Sequence, residues 1–282
     1  MTSAEHQIAD LALTVTQRAA FKRDGFLVVR GLLTKPLVQL LLARFEALFA
    51  GQYQTGVMPD EVNWRAGRDP NDVTRQICNA WKADPVIARV VLNATIGRFC
   101  AQLGGWPGAR INQDNLFWKP PGGKAIGFHQ DSAYEDWVVP SDMVSCWMAL
   151  DDTSAEGGSV TYMRGSHRWP RVEDRVEFHA PDKPQAALIE AAKAAGIDDP
   201  VGEPLVVNAG DAAFHHGWLW HGSETNRSER PRRSLVAHCM SADARFHESN
   251  TNPVYSRYKR PDDVVMDEAF FPITWVSEDA QG

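Results

Sequence analysis

The spacing of the apolar residues changes once along this chain, and that change restricts the fold more than any other feature. Up to about residue 105 the apolar positions recur at helical intervals. Thr16 heads a short helix to about Arg23. Thr34 and Pro36 open a second, in which Leu37, Leu40, Leu41, Phe45 and Leu48 form a stripe interrupted only by Arg44. Asp84-Pro85 opens a third that runs to Leu103 and stops at Gly104-Gly105. The Asp24-Gly25 turn leads into one early strand, Phe26–Arg30. Beyond residue 105 the pattern becomes short runs bounded by Gly, Pro, Asn and Asp. These runs are Arg110–Lys119, the stretch from Gly127, Met143–Leu150, Ser159–Met163, Pro204–Asn208, Ala212–His216 and Ser234–Met240, with one surface helix around Gln185–Ala195.

A helical first third followed by about eight strands predicts an α+β protein on a β-sandwich or jelly roll. Residues 1–282 read as one domain, with the β core over residues 110–240. Residues 1–14 carry little pattern and are expected to form a loose arm. Residues 51–74 are rich in Gly, Pro, Asp and Asn and read as a long loop, of the kind that serves as a lid over a site.

Composition narrows the function. A net charge of −7 gives no electrostatic footprint for nucleic acid or for an anionic membrane. Apolar runs such as Val86–Val91 are far too short to span a bilayer. The four cysteines, Cys78, Cys100, Cys146 and Cys239, form no C-x-x-C pair, which argues against a zinc ribbon or a disulfide scaffold and fits a reducing cytoplasm. Ten tryptophans point to thick aromatic packing and an aromatic-lined pocket.

The chemistry begins at Gly127–Tyr134. His129 and Asp131 are two residues apart, so on an extended backbone both side chains face the same way. An imidazole and a carboxylate aimed at one point make two thirds of a His/His/carboxylate metal site. A His-x-Asp pattern alone arises by chance about 0.7 times in a chain of this composition, so the rest of the sequence must supply the other parts. His221, in Trp220-His221-Gly222-Ser223, is the candidate third ligand. His215 and His216 compete for that place, but an extended strand lets only one of them face inward, and neither is followed by Gly-Ser. Eleven residues beyond His221, Arg232 offers a planar guanidinium that grips a carboxylate through two parallel hydrogen bonds, and Ser223 offers a hydroxyl donor to the same group. Arg233 is the alternative, with one residue of slip reversing its face. Two His and one Asp leave three positions of an octahedral ion open, which suits Fe(II) binding a bidentate 2-oxo acid and O2.

With these pieces in order, the sequence resembles the phytanoyl-CoA dioxygenase family of Fe(II)/2-oxoglutarate-dependent oxygenases. The resemblance lies in Asp24-Gly25-Phe26-Leu27-Val28-Val29, Lys119-Pro120-Pro121-Gly122, His129-Gln130-Asp131, Gly157-Gly158-Ser159, Gly165-Ser166-His167, Gly210-Asp211 and His221-Gly222-Ser223 through Arg232. It implies a double-stranded β-helix core (jelly roll, cupin-like) flanked by N-terminal helices. It implies iron on His129, Asp131 and His221, and 2-oxoglutarate with its far carboxylate on Arg232 and Ser223. Trp147 matches a family position beside the cosubstrate. Asn115 stands where relatives often carry Met, and Arg75 where they often carry Lys. Asp131, in place of Gly or Ala, speaks against the halogenase branch. The implied reaction is hydroxylation of a C–H bond of a small-molecule substrate by O2, with release of succinate and CO2. The residues leave two rivals standing: a non-catalytic β-sandwich that binds a metal or small acid, and a zinc hydrolase on the same ligands. Tyr134, Trp137 and Trp218 are candidates for the substrate pocket or for plain core, and His167 for ordering the loop at its mouth.

Overall fold

Strand alternation and helical stripes meet in one arrangement, described here from a computed structural model for residues 7–171 and 177–280. Along the chain come α1 (Val15–Asp24), β1 (Phe26–Val29), α2 (Lys35–Phe49), β2 (Glu61–Val62), β3 (Arg75–Cys78), α3 (Pro85–Val91), α4 (Ala94–Gly104) and β4 (Gly108–Lys119). They are followed by β5 (Ile126–His129), β6 (Val138–Val139), β7 (Val144–Ala149), β8 (Val160–Tyr162), α5 (Ala186–Ala194), β9 (Glu203–Pro204) and β10 (Ala212–His216). The last are β11 (His221–Ser223), β12 (Arg232–Ser241), β13 (Arg245–Phe246) and β14 (Ile273–Val276).

A large antiparallel sheet has the order β1-β10-β7-β12-β4-β3-β2, with β14 also paired to β4. A small antiparallel sheet has the order β5-β11-β8-β9. Phe26, Trp147, Ala149, Ala213 and Val236 of the large sheet meet Val160 and Tyr162 of the small one in a buried cluster, so the sheets stack face to face. Alternation sends Cys146, Met148, Phe214, Leu235 and Ala237 to the other face, where Leu41, Phe45, Ile87, Val90, Ile96 and Phe99 of the helices cover them. The expected α+β organisation is therefore present, with helices on one face only of the large sheet.

Several local expectations are corrected. Thr14, not Thr16, caps α1: its Oγ1 accepts from Gln17 N at 3.1 Å while Gln17 Oε1 accepts from Thr14 N at 2.9 Å, a capping box that outcompetes a later start. The arm is not loose over residues 7–14. Ile8 bridges Leu33, Ala9 N donates to Leu32 O at 2.9 Å, and Arg98 Nη2 donates to Leu11 O at 2.7 Å. Residues 1–6 of that arm lie outside the described residues. The single helix expected over 85–103 is two, because Asn93 turns extended and its side chain accepts from Thr95 N, a local bond that replaces a helical one. The stretch Pro85–Gly104 is long and apolar enough by composition to cross a membrane. Here its Ile87, Val90, Val91, Ile96, Phe99 and Cys100 are packed in the core. The long loop contains β2, and Trp64 within it is buried with its Nε1 donating to Pro70 O at 2.9 Å. The segment after residue 242 carried no expectation. It folds around Trp137, Phe246, Tyr255, Met266 and Phe271.

Candidate metal centre and its cavity

β5 and β11 are neighbours in the small sheet, and their register sets His221 opposite His129, with ring centroids 4.3 Å apart. Asp131 is not on the strand. β5 ends at His129, and Asp131 begins a 3-10 turn, Asp131–Tyr134. Gln130 between them is still extended (φ −123°, ψ 124°), so alternation holds for one more step and returns Asp131 to the face of His129. Asp131 Oδ1 lies 3.3 Å from His129 Nε2 and 3.5 Å from His221 Nε2.

The backbone fixes which ring nitrogen is free. His129 Nδ1 lies 2.8 Å from Gly127 O, and His221 Nδ1 lies 2.9 Å from Leu219 O. A carbonyl only accepts, so both Nδ1 atoms carry hydrogen and both Nε2 lone pairs face Asp131. The three donor atoms lie within 4.8 Å of one another. Adjacent donors on an ion with bonds near 2.1 Å stand about 3 Å apart, so a divalent ion fits with small adjustments.

The second carboxylate oxygen is occupied by protein. Asp131 Oδ2 accepts from Ser145 Oγ at 2.8 Å and lies 3.0 Å from His215 Nε2. His215 Nδ1 is 3.0 Å from the hydroxyl of Tyr162, whose pKa burial pushes well up, so the phenol donates and His215 passes its own N–H to Asp131. Behind Ser145, His238 Nδ1 stands 2.7 Å from Oγ, and its Nε2 stands 2.8 Å from Asn115 Nδ2. Asn115 Oδ1 in turn accepts from Gln76 Nε2 at 2.9 Å. Burial alone would raise the pKa of Asp131, but His221, His238, His129 and His215 together hold it well below the carboxylate range. Burial pushes His221 well down, so it stays neutral, as a ligand must.

Gln76, Asn115, His129, Asp131, His215, His221 and His238 line a cavity of about 310 Å³. Its inward face on β12 runs Arg232, Ser234, Val236, His238. His238 pairs across the sheet with Ser145, and Val236 with Trp147. Arg232 and the metal cluster thus lie at different levels of one cavity, with Trp147 between. Arg232 is buried and, among the described residues, touches no carboxylate. Its Nη1 donates to Ser234 Oγ at 3.2 Å and its Nη2 to Gly158 O at 3.3 Å, while Nε has no partner among those residues. Burial pushes its pKa down to about 10. Beside it on the paired strand is Lys119, fully buried, with Nζ donating to Ser223 Oγ at 2.8 Å and to Glu224 O. Burial, and then the Arg232 charge, push the lysine well down. The Arg232 guanidinium and the Lys119 amine, neither paired with a carboxylate among the described residues, make a cradle for an anion.

The other expected positions divide. Ser223, Trp147, Asn115 and Tyr134 line the cavity. Arg75 does not: on β3 the residues facing the cavity are Gln76 and Cys78, and the Arg75 guanidinium lies 3.9 Å from the centre of the Trp64 ring on the opposite face. A one-residue offset on a strand reverses the face, which is the reason for the miss. Trp137 is also outside the cavity, stacked on Tyr255 at 5.3 Å within the aromatic cluster of the C-terminal segment. Trp218 is outside too, turned away by a bond from its Nε1 to Asp142 Oδ1 at 2.8 Å. Arg233 forks onto Asp151 on the outer side. His215 is the inward member of its pair, but it supports Asp131 from behind, and His216 packs against Phe21 and His167. His167 bonds to Lys22 O and does not line the cavity.

Sequence reading missed Lys119, Ser145, His215 as a support, His238, Gln76, Glu135 and Tyr255. His238 was within reach, because it sits an even number of positions from Arg232 on one strand. Tyr255 lies in irregular chain and gave no signal.

A phytanoyl-CoA dioxygenase (PhyH) family model matches residues 21–234. A phytanoyl-CoA dioxygenase domain-containing protein 1 homolog from Caenorhabditis elegans is 25% identical over 182 residues, 64% of this chain and 63% of the worm protein, so the match spans under two thirds of that relative. The ectoine dioxygenase of Bordetella parapertussis is 25% identical over 284 residues, 94% of this chain and 86% of that protein. Among solved structures, the non-heme alpha ketoglutarate dependent carbocyclase SnoK of nogalamycin biosynthesis superposes with a TM-score of 0.71 at 24% identity, covering 93% of this chain and 96% of that one. The stacked antiparallel sheets are thus a jelly roll shared with a non-haem oxygenase. With the family model covering most of its length, the chain belongs to the phytanoyl-CoA dioxygenase family.

Proposed function

We propose that this protein is an Fe(II)- and 2-oxoglutarate-dependent dioxygenase that hydroxylates a C–H bond of a small organic substrate. One observation carries the reading. A His/Asp/His donor set and a buried arginine that has no carboxylate partner among the described residues open into the same cavity. The stacked sheets support describing the core as a double-stranded β-helix. Bound iron with O2 and 2-oxoglutarate supplies the oxidation, giving the alcohol, succinate and CO2.

The chain's own residues do the positioning. His129, Asp131 and His221 hold the ion on one side, with their free lone pairs fixed by the carbonyls of Gly127 and Leu219. Ser145 and His215 hold Asp131 Oδ2, so Oδ1 is the oxygen offered to the metal. Arg232 and the Ser223 hydroxyl take the far carboxylate of 2-oxoglutarate. Lys119 engages the Ser223 oxygen as a donor, which leaves the serine proton to point at that carboxylate. Trp147 and Val236 form the apolar wall beside the cosubstrate and exclude water. Four buried, unpaired thiols fit work in a reducing compartment such as the cytoplasm.

The test is anaerobic titration of the protein with Fe(II) and 2-oxoglutarate. A weak visible charge-transfer band that fades in air, followed by succinate formation, is expected. Absence of both, or hydrolysis supported by zinc without oxygen, would overturn the reading.

A further inference from the structure

Among the described residues, Arg232 is the only Lys or Arg that lines the cavity, while Glu61, Asp131 and Glu135 supply carboxyls. If Asp131 serves the metal and Arg232 the cosubstrate, Glu61 and Glu135 set the charge of what is left. This step rests on the function proposed above.

Both glutamates belong to the part of the cavity remote from Arg232. Glu135 follows the Asp131–Tyr134 turn, is 3% exposed, and accepts from Asn112 Nδ2 through Oε2 at 2.8 Å. Glu61 pairs across β2 and β3 with Cys78, which pairs with Asn115. Glu61 Oε1 accepts from Tyr255 OH at 3.2 Å, and the same hydroxyl bonds Gln113, which pairs with His238 at the far end of β12 from Arg232. Among the described residues neither glutamate forms an ion pair. The nearby cations Lys82 and Arg257 are committed to Asp60. His179, on the wall, is pushed down to about 4 by burial and stays neutral.

We propose that this part of the cavity takes the ammonium group of a small organic substrate, gripped by Glu135 and Glu61. A buried carboxyl without a cation is unfavourable, and an ammonium with three N–H donors satisfies both glutamates and Gln113 at once. Among the described residues, an anionic substrate such as an acyl-CoA would meet two carboxyls here and no uncommitted cation.

The probes are hexylammonium, hexanol and hexanoate, which share length and differ in head group. Each is titrated by calorimetry into the metal-free protein and into protein given Fe(II) and 2-oxoglutarate without air. The expected order is ammonium, then alcohol, then carboxylate, with about ten-fold or more between the first and the last. Glu135→Gln and Glu61→Gln, each checked to be folded by circular dichroism, are expected to weaken ammonium binding about 10- to 100-fold and to leave hexanol unchanged. Equal affinities, an order led by hexanoate, no binding of the ammonium, or a preference intact in both variants overturns the proposal. The two readings fail separately. Ammonium preference with no succinate from any compound removes the oxygenase and keeps the recognition. Succinate stimulated by acids without ammonium preference does the reverse.

Discussion

Arg232→Met separates two effects that the guanidinium combines. Burial lowers the arginine from 12.5 to about 10. At about 1.4 kcal/mol per pKa unit, that sets about 3 kcal/mol of desolvation against the ligand-free fold. The side chain is 4% exposed, so solvent screening does little to reduce the figure. Its two acceptors, Ser234 Oγ and Gly158 O, sit at 3.2 and 3.3 Å. Bonds that long return about 1 kcal/mol each at most. Methionine has similar reach and is apolar, and it would pack beside Trp147 and Val236. The balance is a gain of about 1 kcal/mol for the ligand-free variant, or a Tm rise of about 2–4 °C. The same change removes the fork that holds the far carboxylate, so affinity for 2-oxoglutarate is expected to fall about 100-fold or more. For the unaltered protein, cosubstrate at 100 times its Kd adds about 2.7 kcal/mol of stability. Calorimetric melting with and without 2-oxoglutarate reads both effects: the variant starts higher and gains nothing from the ligand. A variant that melts below the parent when ligand-free, or that keeps the full ligand shift, refutes the argument.

Other outcomes follow from the same geometry. Asp131→Ala or His129→Ala is expected to weaken Fe(II) binding at least about 100-fold in anaerobic calorimetry and to abolish succinate formation; full turnover by either variant would remove the metal centre assigned here. Ser145→Ala removes one of the two groups that hold Asp131 Oδ2, and His238→Phe removes the partner behind Ser145; either should weaken the metal about 10- to 100-fold while the protein stays folded by circular dichroism. Glu135 titrates ordinarily at 4.5, and burial pushes it up to about 7, so its contribution favours folding fully below pH 4.5 and is lost as pH rises through 7. Urea melts at pH 5 and pH 8 should show the parent losing most of about 3 kcal/mol relative to Glu135→Gln, and parallel pH profiles would contradict this. In Gly222→Ala a Cβ would stand 2.7 Å from Phe128 Cδ2 and 2.9 Å from its Cα. Because this strand carries both His221 and Ser223, a loss of about 1–3 kcal/mol and weakened metal binding are expected in parallel denaturation and titration.

The candidate centre was legible because its parts are chemical and ordered along the chain. His129, Asp131, His221 and Arg232 are rare side chains at fixed intervals, and strand alternation alone brought the first two to one face. Arg75, carried over from the family resemblance, falls on the other face of the short β3, whose register no nearby residue announces. Trp137 and Trp218 were ambiguous because an aromatic beside a site has the same local signature whether it lines the cavity or the core. His215 looked like a rival ligand and is a support, a distinction that exists only in three dimensions. The C-terminal stretch was silent since its order comes from aromatic contacts between irregular segments, not from any period.

Tyr255 and Asn252 complete the cavity wall, yet none of the metal donors comes from their part of the chain. That stretch is held by its own cluster around Trp137, Phe246 and Phe271. The metal donors and Arg232 thus come from residues before 242, while two residues of the cavity wall arrive on the later stretch, which β14 also ties to β4 of the large sheet. Grafting a different tail onto residues 1–241 is a route to altered substrate choice that leaves the ligands of the ion in place.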